Sequence, residues 1–214
     1  MAAVLYHDAQ LYERDLALFV KKQWLNDAAI NFYFTMIHHE TCHGAEDLLL
    51  MDPAVASCML LQCDDEDDLT ELAQGLQLAR KELIVLPVND RSSFESQGSH
   101  WALLAYRPAS GTFQYYDSSG QHNLESAYEI ARVLVMALGG KPNNVVLQVA
   151  PCPQQTNGVD CGMYVCLIAE WLSARWSSSD RLPPEDLHAY VTPARIENVR
   201  AAMPRLVAAL RQDE

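Results

Sequence analysis

Residues 155–162 read Gln155-Thr156-Asn157-Gly158-Val159-Asp160-Cys161-Gly162. The Asn-Gly pair turns the chain into an amphipathic run over 161–176, which predicts a helix opening at Cys161. A thiol at that place meets the free N–H groups and the positive dipole end of the helix, and both favour a thiolate. The thiolate is the attacking species, and a thiol at its reference pKa of about 8.5 is mostly protonated at neutral pH. Gln155, six residues before the cysteine, can aim its amide N–H at an oxygen turning anionic beside the sulfur. The backbone N–H of Cys161 supplies a second donor.

A nucleophilic thiol needs a base, and the base needs an orienter. His100 precedes an apolar strand-like segment, 101–106, and Asp117 ends the next one, 112–116. The tight connection at 108–111 makes the two an antiparallel hairpin. Each residue alone has a plainer explanation. A cysteine at a helix start is usually inert packing, a histidine before a tryptophan usually packs, and Asp117 before Ser118-Ser119-Gly120 can begin a turn. Four residues of the required types at element ends that can converge outweigh those explanations.

Around this centre the pattern is helices, then strands, then helices. Trp24-Leu25-Asn26-Asp27 leads into a largely apolar helix over 28–37, with Asn26 or Asp27 as N-cap and Gly44 as the stop. Residues 48–63 are apolar and predict a second helix. The acidic run 64–68 is a solvated loop that favours the start of a helix over 69–79. Strands are expected at 83–88, 101–106, 112–116 and, as a buried strand, 145–149. The polar loop 89–99 is long enough to cover a site. A helix over 124–138 stops at Gly139-Gly140, residues 177–184 form a linker or turn, and Thr192-Pro193 starts a last helix to about 211, kinked or broken at Pro204. This is an α+β pattern with a small, mostly antiparallel sheet between helices, in one domain spanning 1–214.

Half of the 214 residues are hydrophobic, enough for a sizeable core. No apolar run is long enough to span a bilayer, and the N-terminus lacks the basic flank and apolar core of a secretory signal. The six cysteines form no CxxC pair, so they are expected as reduced thiols in a cytoplasmic or nuclear protein. A net charge of −13 disfavours nucleic acid and anionic membrane as partners.

His100-Trp101, then Asp117, then Gln155 with Asp160-Cys161-Gly162 resembles the sentrin/SUMO-specific (Ulp-type) cysteine protease family, as does the earlier Trp24-Leu25-Asn26-Asp27. The resemblance runs from about Trp24 to the last helix. It implies a papain-like fold with rearranged chain order and a thiol isopeptidase that needs neither cofactor nor metal. The catalytic residues would be His100, Asp117, Gln155 and Cys161. Trp24 and Trp101 would line a narrow tunnel for a Gly-Gly tail, with Asn26, Asp27 and Asn89 contacting substrate. The implied partner is a ubiquitin-like modifier and its lysine conjugates, handled by a monomer. The 89–99 loop, Leu61-Gln62-Cys63 and Thr192-Pro193-Ala194 resemble the deneddylase branch. Ile30-Asn31-Phe32-Tyr33, Pro153-Gln154-Gln155 and Asn157-Gly158 are closer to the desumoylating branch, which stands as the alternative to a Nedd-type modifier.

Two rival functions are legible. His39-Glu40-Thr41-Cys42-His43 matches H-E-x-x-H, which on a rigid helix would hold zinc between His39 and His43 with Glu40 as base, and Asp64 or Glu66 as a third ligand. Gly44 follows at once, so the motif sits at a fraying helix end, and its histidines are favoured there by the dipole alone. A module that binds the modifier without turnover would lack His100 or Cys161, and both are present.

Overall fold

The structure is a computed structural model that describes residues 2–20, 22–63, 65–177 and 186–211. Two strands, β1 (Ala2–Tyr6) and β2 (Ala9–Tyr12), form an antiparallel hairpin that leads into α1 (Glu13–Val20). None of these three elements was expected from the sequence. α2 (Asp27–Met36) follows, with Asn26 as its cap: Asn26 Oδ1 accepts from the Ala29 amide. The 48–63 stretch is not one helix. It opens as strand β3 (Leu48–Leu50), then Asp52 caps and Pro53 starts α3 (Pro53–Leu61). Asp65 caps α4 (Glu66–Gly75), so the acidic run starts that helix three residues before the expected position.

The central sheet is ordered β3-β4-β5-β6-β7, with β4 (Leu83–Asn89), β5 (Trp101–Arg107), β6 (Thr112–Tyr116) and β7 (Val146–Val149). The two inner pairings are antiparallel and the two outer ones, β3 with β4 and β6 with β7, are parallel, so the sheet is mixed. β7 is not buried: Val146 and Val149 are about half exposed because the strand lies at the sheet's edge.

β4 is buried along its whole length, since both faces of the sheet are covered. Its residues divide with period two. Leu83 and Val85 join Leu103 and Ala105 in a core shared with α2, α6 (Cys161–Trp176) and α8 (Pro193–Leu210). Ile84, Leu86 and Val88 join Ala102, Leu104, Phe113 and Tyr115 in a second core under α3, α4 and α5 (Leu124–Ala137). α6 is buried on nearly every side and is not the amphipathic helix that its pattern predicted. α8 runs unbroken through Pro204, its buried face of Ile196, Arg200, Met203 and Val207 held against the core. A short α7 (Leu187–Tyr190) precedes it. The expected linker at 177–184 lies, beyond Ser177, outside the described residues. Among the described residues no helix is long and apolar enough to cross a membrane.

Candidate active site

The site forms where β5 and β6 end against the N-terminus of α6. Leu103 pairs with Tyr116, so Asp117 falls one step outside the paired register and diagonal to His100. His100 Nε2–H donates to Asp117 Oδ1 at 2.6 Å, and both residues are buried. With Nε2 committed, Nδ1 is the nitrogen left for Cys161, whose side chain hydrogen-bonds the same ring. Burial alone would lower the His100 pKa. The bonds to Asp117 and Cys161 overcome it and hold the imidazole at about 9. Burial likewise opposes ionisation of Asp117, yet donation from His100, Tyr115 and the Ser119 amide holds its carboxyl down at about 2.

The carboxylate of Asp117 is fully engaged. Oδ1 takes His100 and the Ser119 amide at 2.7 Å, while Oδ2 takes the Tyr115 hydroxyl at 2.5 Å and the Asn123 amide at 3.3 Å. The backbone of His100 is pinned on both sides. Its N–H donates to Asp90 Oδ1 at 3.1 Å, and its carbonyl accepts from Asn123 Nδ2 at 2.9 Å and Asn89 Nδ2 at 3.3 Å. Gln155 lies beside this group. Its Oε1 accepts from Ser118 Oγ at 2.8 Å and its Nε2 donates to the Asn157 carbonyl at 2.8 Å, which leaves one amide N–H uncommitted.

A cavity of about 320 Å³ is lined by Cys161 and His100 together with Trp24, Asn26, Asp27, Asn89 and Trp101. Every residue expected to contact substrate therefore faces one space. Its walls are tied to each other. Trp101 Nε1 donates to the Leu25 carbonyl at 2.9 Å, and Trp24 Nε1 donates to the Gly158 carbonyl in the loop before the nucleophile. Gly162 permits the approach of that segment, because a Cβ there would lie 2.9 Å from Leu25 Cβ. Asn26, besides capping α2, donates to Asp15 Oδ1 at 2.8 Å.

The 89–99 loop closes the cavity's other side through residues that the sequence did not single out. Arg91 forks onto Asp27 at 2.6 and 3.0 Å and lies over the Trp101 ring. Asp90 accepts from the Ser99 amide at 2.6 Å and from the Ser99 hydroxyl. Gly98, at φ +66°, sits where a Cβ would be 2.0 Å from Asn89 Oδ1. An Arg, an Asp and a Gly within a polar loop carry no periodic signal, and only the positive-φ demand at Gly-Ser was a readable hint.

The H-E-x-x-H segment does not form the zinc-binding face. Residues 37–41 make a π-helical turn, which breaks the i, i+4 spacing of an α-helix. The His39 ring stacks on His7 with centroids 3.4 Å apart, Glu40 accepts from the Tyr6 hydroxyl, and His43 is in the left-handed region. Among the described residues no three His, Cys, Asp or Glu side chains are grouped to hold a metal ion. Of the imagined third ligands, Glu66 belongs to α4 and Asp64 lies outside the described residues.

Comparison with known proteins gives a consistent picture. Residues 23–203 match the Ulp1 protease family, C-terminal catalytic domain. Sentrin-specific protease 8 of Mus musculus is 31% identical over 207 residues, covering 96% of this chain and 91% of that protein. NEDD8-specific protease 1 of Arabidopsis thaliana is 30% identical, covering 97% of this chain and 88% of that protein. The solved C-terminal Ulp1 protease domain in complex with Smt3, the yeast ortholog of SUMO, superposes with a TM-score of 0.74 at 19% identity, covering 99% of this chain and 88% of that one.

Proposed function

The chain belongs to the Ulp1 protease family, and from that premise we propose that it is a thiol isopeptidase cleaving after the C-terminal Gly-Gly of the Nedd-type ubiquitin-like modifier, in lysine conjugates and in the precursor. The observation that carries the proposal is the position of His100. It lies between Asp117 and Cys161 in the lining of a cavity that Trp24 and Trp101 also wall. Flat aromatic walls suit residues without side chains. The choice of modifier rests on relatives about 30% identical over nearly the whole chain, one of them named for NEDD8. The likeness to the SUMO-bound protease, at 19% identity, speaks to fold only.

In this mechanism the Cys161 thiol passes its proton to His100 Nδ1, and the thiolate attacks the carbonyl of the terminal glycine. Asp117 accepts from Nε2–H, which fixes the ring and stabilises its positive charge. The oxyanion receives the free Gln155 amide N–H and the Cys161 backbone N–H. As the tetrahedral species collapses, His100 Nδ1–H protonates the leaving amine and a thioester remains on Cys161. Water, losing a proton to His100, then adds to the thioester, and thiol and glycine carboxylate are released. All four proposed catalytic residues come from one chain, so the proposed reaction is complete in a monomer.

Nedd-type, SUMO and ubiquitin probes with a thiol-reactive C-terminus, applied with and without chelator, test the proposal. The expected result is labelling of Cys161 by the Nedd-type probe, unchanged by chelator and abolished in Cys161→Ala. Preferential labelling by the SUMO probe would move the assignment to the desumoylating branch. Labelling by none would refute it.

A further inference from the structure

Arg200 lies on α8, which contributes no residue to the proposed catalytic set, and it is only 3% exposed. A guanidinium keeps its charge on burial, so its N–H groups need acceptors. Nη1 donates to the carbonyls of Leu18 at 3.0 Å and Phe19 at 3.4 Å, where a cation suits the C-terminal end of α1. Those two bonds alone would pin α8 to α1. The remaining bonds reach elsewhere. Nη2 donates to the carbonyl of Gln23 at 3.2 Å, just before Trp24, and to that of Val159 at 3.4 Å. Nε and Nη2 both donate to Asp160 Oδ1, at 3.0 and 2.7 Å.

Asp160 is the N-cap residue of α6, one position before the nucleophile. An aspartate in that position ordinarily turns its carboxylate back onto the second or third amide of the helix. Here its side chain makes no capping bond. Oδ1 is taken by Arg200, and Oδ2 accepts from Asn157 Nδ2 at 2.7 Å. The first-turn amides of α6 take no capping bond from Asp160, and Cys161 is the first residue of that turn.

We propose that Arg200 is a positioning residue for the nucleophile: it draws the Asp160 carboxylate off the N-terminus of α6, keeping a negative charge from the thiolate and reserving the helix amides for thiolate and oxyanion. The inference rests on Cys161 as the nucleophile of the proposed reaction. In Arg200→Met the carboxylate is released to cap α6, where it opposes ionisation of the neighbouring thiol.

The test is the pH dependence of Cys161 alkylation by iodoacetamide, read by mass spectrometry, alongside kcat/KM on a fluorogenic modifier conjugate. Arg200→Met is expected to raise the alkylation midpoint by about half a unit or more and to lower kcat/KM. Arg200→Met/Asp160→Ala, lacking the competing carboxylate, returns the midpoint to the wild-type value even if it melts earlier. A purely structural Arg200 leaves the double variant no better than the single one, which would overturn the proposal. Two further variants decide the matter should Arg200→Met not fold. Arg200→Lys keeps a cation beside Asp160 and holds the wild-type midpoint. Asp160→Ala alone leaves it unchanged or lower, and a rise there refutes the idea. If wild-type Cys161 reacts with no modifier probe, the proposed function falls and takes this inference with it. If it reacts and the Arg200→Met profile is unmoved, only the inference falls.

Discussion

Asp117→Asn probes the pivot of the site with almost no change of shape. His100 stands at about 9 against an ordinary 6.5, with burial opposed by bonds to Asp117 and Cys161. A rise of that size corresponds to about 3 kcal/mol in favour of the imidazolium. The low Asp117 value reports the same interaction from the other side, so it adds nothing further. All four groups around the carboxylate are donors, so an amide –NH2 must meet one of two pairs. Against Tyr115 it can be accommodated, because that hydroxyl can rotate and accept. Against His100 and the Ser119 amide it cannot. The asparagine therefore keeps its oxygen toward His100, and the ring keeps its tautomer but loses the neighbouring charge. If roughly half of the 3 kcal/mol goes, the alkaline limb of kcat/KM drops by about one unit, and losing the same charge stabilisation in the transition state lowers the rate at neutral pH roughly 10-fold.

A fluorogenic C-terminal modifier conjugate, followed from mildly acidic to alkaline pH, gives that limb directly. Stability supplies a second readout with a definite sign. The His100 contribution is present in full below 6.5 and is lost as pH rises through about 9; the Asp117 contribution is present above 3.8 and is lost as pH falls through about 2. The variant should therefore lose most melting temperature, relative to wild type, between those inner limits, and less toward either end of the range. An alkaline limb still near 9, with wild-type rates, would refute the assignment of Asp117 as orienter.

Gln155→Ala should lower kcat by roughly 10²- to 10³-fold with KM little changed, since its free N–H serves the oxyanion and not the bound ground state. An equal rise in KM would assign Gln155 to binding. Gly98→Ala and Gly111→Ala form a matched pair, both at positive φ (+66° and +63°), but only Gly98 has atoms where a Cβ would go. Both should lose about 1 kcal/mol to backbone strain. Gly98→Ala alone should also shift the 89–99 loop and raise KM for the modifier, and indistinguishable kinetics would mean that the loop's close approach does not shape the cavity.

What the sequence disclosed was whatever is decided locally. Cys161 at a helix start, His100 and Asp117 at strand ends, and Gln155 in the preceding loop declare themselves through their immediate neighbours. Their convergence then follows from one hairpin and one strand-to-helix contact. The strands at 83–89 and 101–107 were legible because a sheet covered on both faces needs unbroken runs of β-formers. Where local pattern misled, tertiary context had decided. Residues 48–50 make a strand because β4 is there to pair with them, and apolar β7 is exposed at the sheet's edge, where among the described residues no strand pairs with its outer side. Residues 2–20 form a hairpin and a short helix that take their place by packing on α2 and α8, not from any periodicity of their own.

Three of the residues not read from the sequence share one property: each is defined by partners far along the chain. Arg91 matters because Asp27, 64 residues earlier, accepts its fork. Asn123 matters because it reaches back to the carbonyls of Val88 and His100. Arg200 joins Leu18, Gln23 and Asp160 over separations of up to 182 residues. The same contrast explains why Asp160, which occupies the N-cap position of α6, does not cap it. Its chemistry and position both recommend capping, and only a buried cation from the last helix turns it away. A residue that abandons its locally preferred role at a functional helix terminus marks a place where the fold has set reactivity above local stability. Releasing that carboxylate should therefore stabilise α6 as a helix while weakening Cys161 as a nucleophile, and this opposition of signs is what separates a device for catalysis from a tie that merely holds the chain together.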